Sequence, residues 1–254
     1  MAALEGKTIH SVAKAIYLLD ILTENAEPMS LTELYQKTQW PKSTIHGLLS
    51  TMRESGLIEQ TANGRYWLGI RLFEYGSAVS GAWDIAQIAR APMRALCGEL
   101  GESVFLSVLD RGSVVTLAEE ECRTDVRVVS EVGARLPIHC TSQGKLFLSG
   151  LSQAECRRIL TKEPLKAYTP NTLTEYADLA PVLGQIRAQG YAIERGEYKL
   201  GLRSICAPIY NAGGQICYAL GCIGLSGGEE SFAVSCICRA AAGISETLGY
   251  RGRH

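Results

Sequence analysis

The apolar positions between residues 41 and 53 repeat with the period of an amphipathic helix. Four apolar side chains recur at i, i+3, i+4 and i+7, which places them on one helical face. They are Ile45, Leu48, Leu49 and Met52. The opposite face is polar, cationic and free of carboxylates, and it carries Lys42, Ser43, His46, Ser50 and Arg53. A short helix of this kind is suited to the major groove of DNA.

Two more helices are predicted ahead of this segment. Apolar spacing predicts a helix over 11–22. The run Ser30-Leu31-Thr32-Glu33 has the form of a capping box and opens a second helix over 31–37. Pro41 suits the first turn of the third helix, because its missing N–H is not needed there.

A hairpin is predicted directly after the third helix. Gly56 suits a left-handed cap that ends the helix. Extended runs at 57–60 and 65–68 are joined through Asn63-Gly64, which favours a type I′ turn. Three helices and a hairpin predict a winged helix-turn-helix. A helical hairpin within an unrelated α+β core is the alternative interpretation of the same pattern.

After residue 84 the pattern alternates between helices and short extended runs. Helices are predicted over 84–100, 142–150, 174–189 and 231–248, with another opened by a capping box at 152–155. Extended runs are predicted over 104–109, 114–118, 126–130, 191–193, 204–210 and 215–225. Helices interleaved with hairpin-linked strands predict an α+β domain with a mostly antiparallel sheet.

The composition restricts the classes of function that the protein can have. The chain has 254 residues and a formal net charge of −1, so any affinity for DNA must come from a local basic patch. No apolar run reaches the length of about 18 residues that a membrane span needs. Residues 1–7 lack the apolar core of a signal peptide, so we expect a cytoplasmic protein that does not bind membranes.

Neither a metal site nor catalysis is indicated. The nine cysteines are scattered through apolar runs without C-x-x-C spacing, so we expect reduced, buried thiols and no metal or cofactor. A thiol-based redox sensor that uses Cys236 and Cys238 is an alternative, although those side chains would diverge on a helix. The motifs of serine hydrolases, zinc proteases, P-loop enzymes and dinucleotide-binding proteins are all missing, so we do not expect an enzyme.

Two segments are candidates for a small-molecule site. At residues 135–145 a strand ends and a helix begins, so the amides near Ser142, Gln143 and Gly144 would form an anion-receptive helix start. At residues 190–204 a strand ends in a charged segment. An ordinary capped helix and a solvated loop are the alternatives. His139 is expected to be a hydrogen-bonded core histidine.

The chain resembles IclR-type transcriptional regulators over nearly its whole length. In the N-terminal part the resemblance lies in Ser43-Thr44-Ile45-His46 and in Gly64-Arg65-Tyr66-Trp67-Leu68-Gly69. The later blocks are Leu136-Pro137-Ile138-His139 with Gly144-Lys145, Ala167-Tyr168-Thr169, Gly190-Tyr191-Ala192, and Gly201-Leu202-Arg203 followed by Ala207-Pro208-Ile209. The presence of all these blocks in this order is more specific to the family than any single block.

The resemblance implies a regulator with two domains. Residues 1–69 would form a winged helix-turn-helix, 70–83 a linker helix, and 84–254 a GAF-like effector-binding domain. Such proteins assemble as homodimers or homotetramers and bind double-stranded operator DNA. They repress or activate catabolic operons in response to a small carboxylate or aromatic acid. A winged-helix adaptor that binds another protein is the alternative.

The resemblance also assigns residues to two sites. In the DNA-binding domain, phosphates or base edges would be contacted by Lys42, Ser43, Thr44, His46, Arg53 and Arg65. In the effector domain, Val128 and Leu136 would form an apolar wall, and Ser142 and Gln143 would offer main-chain amides. Glu194, Ser204, Gly221 and Ile223 would complete the lining.

This sequence departs from the family pattern at three places. Gly221-Cys222-Ile223 stands where the family commonly has Ser-x-Ser, and Ser204 stands where it commonly has Cys. The resulting pocket is less polar, which predicts an effector larger or more apolar than glyoxylate. Gly47 stands where the family usually has Arg, so one contact to DNA would be missing.

Overall fold

The structure, a computed structural model, describes residues 9–25, 27–82, 84–122, 132–162, 164–227 and 229–252. The chain divides into two compact units, Met1–Trp83 and Asp84–His254. None of the described helices combines the length and the hydropathy that crossing a membrane requires.

The described residues of the N-terminal unit form four helices and one hairpin. In chain order these are α1 (His10–Glu24), α2 (Leu31–Thr38), α3 (Lys42–Glu54), β1 (Ile58–Gln60), β2 (Tyr66–Leu68) and α4 (Ile70–Ala82). Helices α1 to α3 and the hairpin share one apolar core, which includes Leu22, Leu34, Leu49 and Tyr66. The three predicted helices, the capping box at Ser30 and the hairpin are therefore confirmed.

The turn of the hairpin differs from the predicted type I′ turn. A type I′ turn needs positive φ at both central residues. Gly64 has φ 79°, but among the residues with described backbones Asn63 is not one of those with positive φ. The Gly64 N–H donates to the Thr61 carbonyl at 2.9 Å, and the Thr61 hydroxyl accepts from the Arg65 N–H at 3.1 Å. The Thr61 side chain thus stabilises a longer loop that ends at Gly64.

The C-terminal unit is an antiparallel sheet with helices on both faces. Its first elements are α5 (Asp84–Leu100), β3 (Ser103–Asp110), β4 (Ser113–Glu120), β5 (Arg135–Leu136), α6 (Ser142–Ser149) and α7 (Gln153–Leu160). They are followed by α8 (Tyr176–Gln189), β6 (Ala192–Arg195), β7 (Leu202–Tyr210), β8 (Ile216–Leu225) and α9 (Glu230–Thr247). The strand order is β5-β4-β3-β8-β7-β6, with antiparallel neighbours throughout.

Side chains alternate between the two faces of the sheet along each strand, so the sheet contributes to one apolar core on each face. One face of the sheet packs against α5 and α9 and contributes Val104, Ile205 and Leu220 to their shared core. The opposite face contributes Phe105 and Cys206 to a core with α6 and α8. The α+β fold with its mostly antiparallel sheet is confirmed. The predicted strand over 126–130 lies outside the described residues.

Candidate functional site

Helix α3 presents its polar face to solvent. Ile45 and Leu49 are fully buried in the core of the N-terminal unit. Lys42, Ser43, His46 and Arg53 are exposed, and Thr44 is half-buried. The amphipathic helix that the apolar spacing predicts is therefore present.

The two cations of this face are held at opposite ends of α3. The Lys42 Nζ lies 5.6 Å from the centroid of the Tyr35 ring, on α2. The Arg53 Nη1 donates to the Gln60 Oε1 at 2.6 Å, so the end of α3 is tied to β1. Gly47 lies between them, and a Cβ built there meets no heavy atom within 4 Å. The backbone at Gly47 therefore leaves room for a Cβ.

Arg65 is engaged inside the N-terminal unit. Its Nη2 donates to both carboxylate oxygens of Glu33 at 2.9 Å, and its Nε donates to the Pro28 carbonyl at 2.7 Å. Glu33 also accepts from the Ser30 N–H at 2.6 Å in the capping box of α2. Hydrogen bonds from the Ser30 backbone and hydroxyl, and then from Arg65, lower the pKa of Glu33 to about 2. Arg65 thus ties the hairpin to α2, and its role toward DNA stays a prediction.

The start of α6 leaves backbone amides without internal partners. Thr141 caps the helix, since its hydroxyl accepts from the Gly144 N–H at 3.2 Å and donates to the Pro137 carbonyl at 2.8 Å. Within the described part of the chain, no hydrogen bond is found for the amides of Ser142 and Gln143. Free amides at a helix N-terminus favour an anion.

Four predicted effector residues form a buried hydrogen-bonded chain. The Ser204 Oγ lies 2.9 Å from the Ser142 Oγ and 3.2 Å from the Glu194 Oε2. The Ser142 Oγ in turn lies 3.3 Å from the Gln143 Oε1. All four residues are at least 95% buried. Helix α6 and strands β6 and β7 therefore bring together residues that are up to 62 positions apart.

Strand register places the remaining predicted residues around this chain. Ser204 pairs with Glu194 on one side and with Ile223 on the other. Gly221 pairs with both Cys206 and Phe105. A Cβ at Gly221 would lie 2.6 Å from the Phe105 Cζ, so the aromatic ring fills the space above this glycine.

Of the two predicted apolar-wall residues, Leu136 lies among the described residues. Leu136 is half-buried on β5 and packs against the same core as Ile223. Val128 lies outside the described residues. The structure therefore describes the sides of the predicted pocket that α6 and strands β6 to β8 form. The wall assigned to Val128 stays a prediction.

Glu194 is an unusual carboxyl group because it is buried on the sheet. Its Oε1 accepts from the N–H groups of Glu197 and Tyr198, the latter at 3.1 Å. Burial nevertheless raises the pKa of Glu194, against the opposing effect of these two amides and of the Lys145 ammonium. A carboxyl group with a raised pKa can exchange hydrogen bonds with a polar ligand in either protonation state.

A buried ion pair near Glu194 was not predicted from the sequence. The Lys145 Nζ donates to the Glu197 Oε1, and the two side chains are 2% and 13% exposed. The hydroxyl groups of Thr169 and Thr172 donate to the Glu197 carbonyl at 3.2 and 2.6 Å and so fix this loop. The signal in the sequence was a lysine followed directly by three apolar residues, Leu146-Phe147-Leu148.

His139 and the thiols have structural surroundings. His139 is buried, and its Nε2 lies 3.0 Å from the Lys166 carbonyl, as expected of a core histidine. Burial raises the pKa of both Cys236 and Cys238. Reactive cysteines need the thiolate form, which burial disfavours here.

Models of known protein families match both parts of the chain. Residues 11–62 match the family model of the IclR helix-turn-helix domain, and residues 77–233 match that of the bacterial transcriptional regulator IclR C-terminal domain. The chain is 32% identical to the HTH-type transcriptional regulator XynR of Escherichia coli over 95% of this chain and 98% of that one. It is also 32% identical to the transcriptional repressor IclR of the same organism, over 80% of this chain and 75% of that one.

Solved structures share the fold. An IclR transcriptional regulator from Alicyclobacillus acidocaldarius superposes with a TM-score of 0.83 at 26% identity, over 96% of this chain and all of that one. An IclR homologue from Microbacterium hydrocarbonoxydans, complexed with 4-hydroxybenzoate, superposes with a TM-score of 0.85 at 24% identity over 94% and 98% of the two chains.

Proposed function

Because this chain belongs to the IclR family of DNA-binding transcriptional regulators, we propose that it represses a catabolic operon and is controlled by a small carboxylate. Residues 1–69 would bind the operator, 70–83 would link the domains, and 84–254 would bind the effector. The effector assignment is supported by the hydrogen-bonded chain of Ser142, Ser204 and Glu194, which lies at the start of α6 where amides are free. The repressor assignment is supported by relatives such as the transcriptional repressor IclR.

DNA binding is proposed to use paired copies of α3. In a homodimer or homotetramer, two α3 helices would enter successive major grooves of a pseudo-palindromic operator. Lys42 and Arg65 would contact phosphates, whereas Ser43, Thr44 and His46 would meet base edges or phosphates. The exposure of Lys42, Ser43 and His46 supports this arrangement.

We expect Lys42→Gln to weaken operator binding by about tenfold at moderate salt, because each α3 loses one phosphate contact. In a two-fold complex, the slope of log K against log salt should also become shallower by about 1.8. Fluorescence anisotropy over a salt series, on a fragment selected by the wild-type protein, measures both quantities. Arg90→Gln makes the same charge change at an exposed position of α5 and should leave both quantities unchanged. Equal losses in the two variants would contradict the role of Lys42.

The effector is proposed to be a monoacid that is larger or more apolar than glyoxylate. Its carboxylate would bind the amides of Ser142 and Gln143, and a hydroxyl group on the same molecule would donate to Glu194. Phe105, which fills the space above Gly221, and Ile223 supply apolar surface near these groups. A hydroxylated aromatic acid or a sugar-derived acid fits this combination better than glyoxylate.

We expect Glu194→Gln to weaken binding of 4-hydroxybenzoate by about tenfold and to leave operator binding without effector unchanged, because the amide has one acceptor oxygen where the carboxyl group has two. Isothermal titration calorimetry with 4-hydroxybenzoate, glyoxylate and pyruvate measures the effect and ranks the acids. Glu246→Gln, which removes an exposed carboxylate on α9, is the matched control.

Two results would count against this assignment. Tighter binding of glyoxylate or pyruvate than of the aromatic acid to the wild-type protein would refute the apolar effector. Loss of operator binding by Glu194→Gln to the same extent as by Lys42→Gln would refute the separation of the two sites.

A further inference from the structure

The C-terminal unit has a cavity with a basic lining, apart from the effector residues around Glu194. Its volume is about 480 Å³, and it lies between the β3–β4 turn, the segment around β5 and the chain that follows α7. Apolar side chains such as Ile138, Leu160 and Leu165 line part of it. Among the described residues, Leu136 is the one that it shares with the effector residues predicted from the sequence.

Four cationic side chains line this cavity, and its described lining contains no acidic residue. The cations are Arg111, Arg135, Lys162 and Lys166. Asp110 lies next to the lining and accepts from the Arg135 Nη2 at 2.5 Å, and it lies 4.0 Å from the Arg111 Nε. One carboxylate therefore faces two guanidinium groups, and no ion pair is found for the two lysines within the described ranges. Glu163 lies outside the described residues.

The backbone at the edge of this cavity is strained. Arg111 has φ 50° and Gly112 has φ 87°, and Asp110 pairs with Ser113, so the two residues form the centre of a tight hairpin turn. A left-handed conformation costs a non-glycine residue about 1 kcal/mol. A two-residue hairpin turn requires positive φ at both central residues, and Asn, Asp and Gly adopt it more readily than Arg. Strained residues that persist in a fold cluster at ligand-binding sites.

We propose that this basic cavity binds a small polyanion, a metabolite that carries a phosphate group or at least two carboxylates. The cationic side chains would hold the anionic groups, and the apolar wall would contact the body of the molecule. The side chain of Arg111 extends from the turn with 89% of its surface exposed, so it is free to reorient onto a ligand. The four cations lie outside the proposed effector residues, and the cavity meets the effector site at Leu136 and at Tyr198, whose N–H donates to Glu194.

Inorganic pyrophosphate and citrate are the probes for phosphate and polycarboxylate chemistry, and acetate is the monoanion control. Isothermal titration calorimetry with the full chain, in a buffer free of phosphate, should show binding of at least one probe but not of acetate. Lys162→Gln and Arg111→Gly should each weaken that binding by about tenfold, because each removes a charge-assisted contact. Arg111→Gly should also leave the thermal midpoint unchanged or higher, because glycine adopts this turn conformation without strain.

Two matched variants separate binding in this cavity from non-specific charge attraction and from binding beside Glu194. Arg158→Gln removes an exposed cation of α7 that does not line the cavity and should bind the probe like the wild type. Glu194→Gln should also bind it like the wild type. If Arg158→Gln weakened probe binding equally, the attraction would be non-specific. If Glu194→Gln weakened it, the anion would lie in the effector site. No binding of either probe at millimolar concentration would overturn the proposal.

Discussion

Replacing Lys145 with Met is expected to lower the free energy of unfolding of the protein by about 3–5 kcal/mol. The Lys145 side chain is 2% exposed and its ammonium group pairs with Glu197, whose side chain is 13% exposed. Methionine matches the length of the lysine chain but leaves the Glu197 carboxylate buried without its counter-charge. The second carboxylate oxygen, Oε2, already lacks a hydrogen-bond partner among the described residues, so Glu197 has no other compensation.

The double variant Lys145→Met/Glu197→Gln distinguishes the lost charge from lost packing. Since glutamine carries no charge, the double variant should recover more than half of the loss. Urea denaturation followed by far-UV circular dichroism measures the stability. All three tryptophans lie within the first 83 residues, so tryptophan emission reports separately on the N-terminal unit. A double variant as unstable as the single one, or a change confined to tryptophan emission, would contradict the buried ion pair.

Replacing Gly144 with Ala is expected to cost about 3 kcal/mol or more of the same free energy, although alanine is the better helix former. A Cβ at Gly144 would lie 2.1 Å from the Ile138 carbonyl oxygen and 2.5 Å from its carbon. Both atoms belong to the backbone, so no rotamer change relieves the clash, and the start of α6 must move away from Ile138. Because that start carries the amides of Ser142 and Gln143, effector binding should be lost as well.

Gly184→Ala is the matched control for this substitution. Gly184 lies inside α8, and a Cβ there meets no heavy atom within 4 Å. The same change should therefore stabilise the protein by about 0.5–1 kcal/mol, since glycine costs a helix that much. Thermal and urea denaturation of the two variants measure the contrast. A Gly144→Ala protein as stable as the wild type would show that α6 does not approach Ile138 as closely as the structure indicates.

Much of the fold was predictable because its signals are local. The apolar spacing of α3, the capping boxes at Ser30 and Ser152 and the helix of residues 84–100 each depend on neighbours within a few positions. The hairpin turn at Asn63 is the exception. Its predicted geometry is wrong because the Thr61 hydroxyl, which lies two positions earlier, competes for the backbone.

The family resemblance predicted the effector residues, but their arrangement depends on the register of the sheet. Pairing of β6 with β7 places Glu194 beside Ser204, and packing of α6 on the same face brings Ser142 to them. A shift of one residue in either strand would turn these side chains to the opposite face. No pattern within either segment contains that information.

The amino-acid sequence by itself determined the α+β class, the helices and hairpin of the DNA-binding unit and the membership of the family. Periodicity, caps and turn residues act over a few positions and can be interpreted without a fold. Only the tertiary structure decided that Arg65 pairs with Glu33, that Lys145 neutralises Glu197 and that four cations surround one cavity. Each of these depends on residues that are distant in the chain, and their distances are determined by the packing of strands and helices.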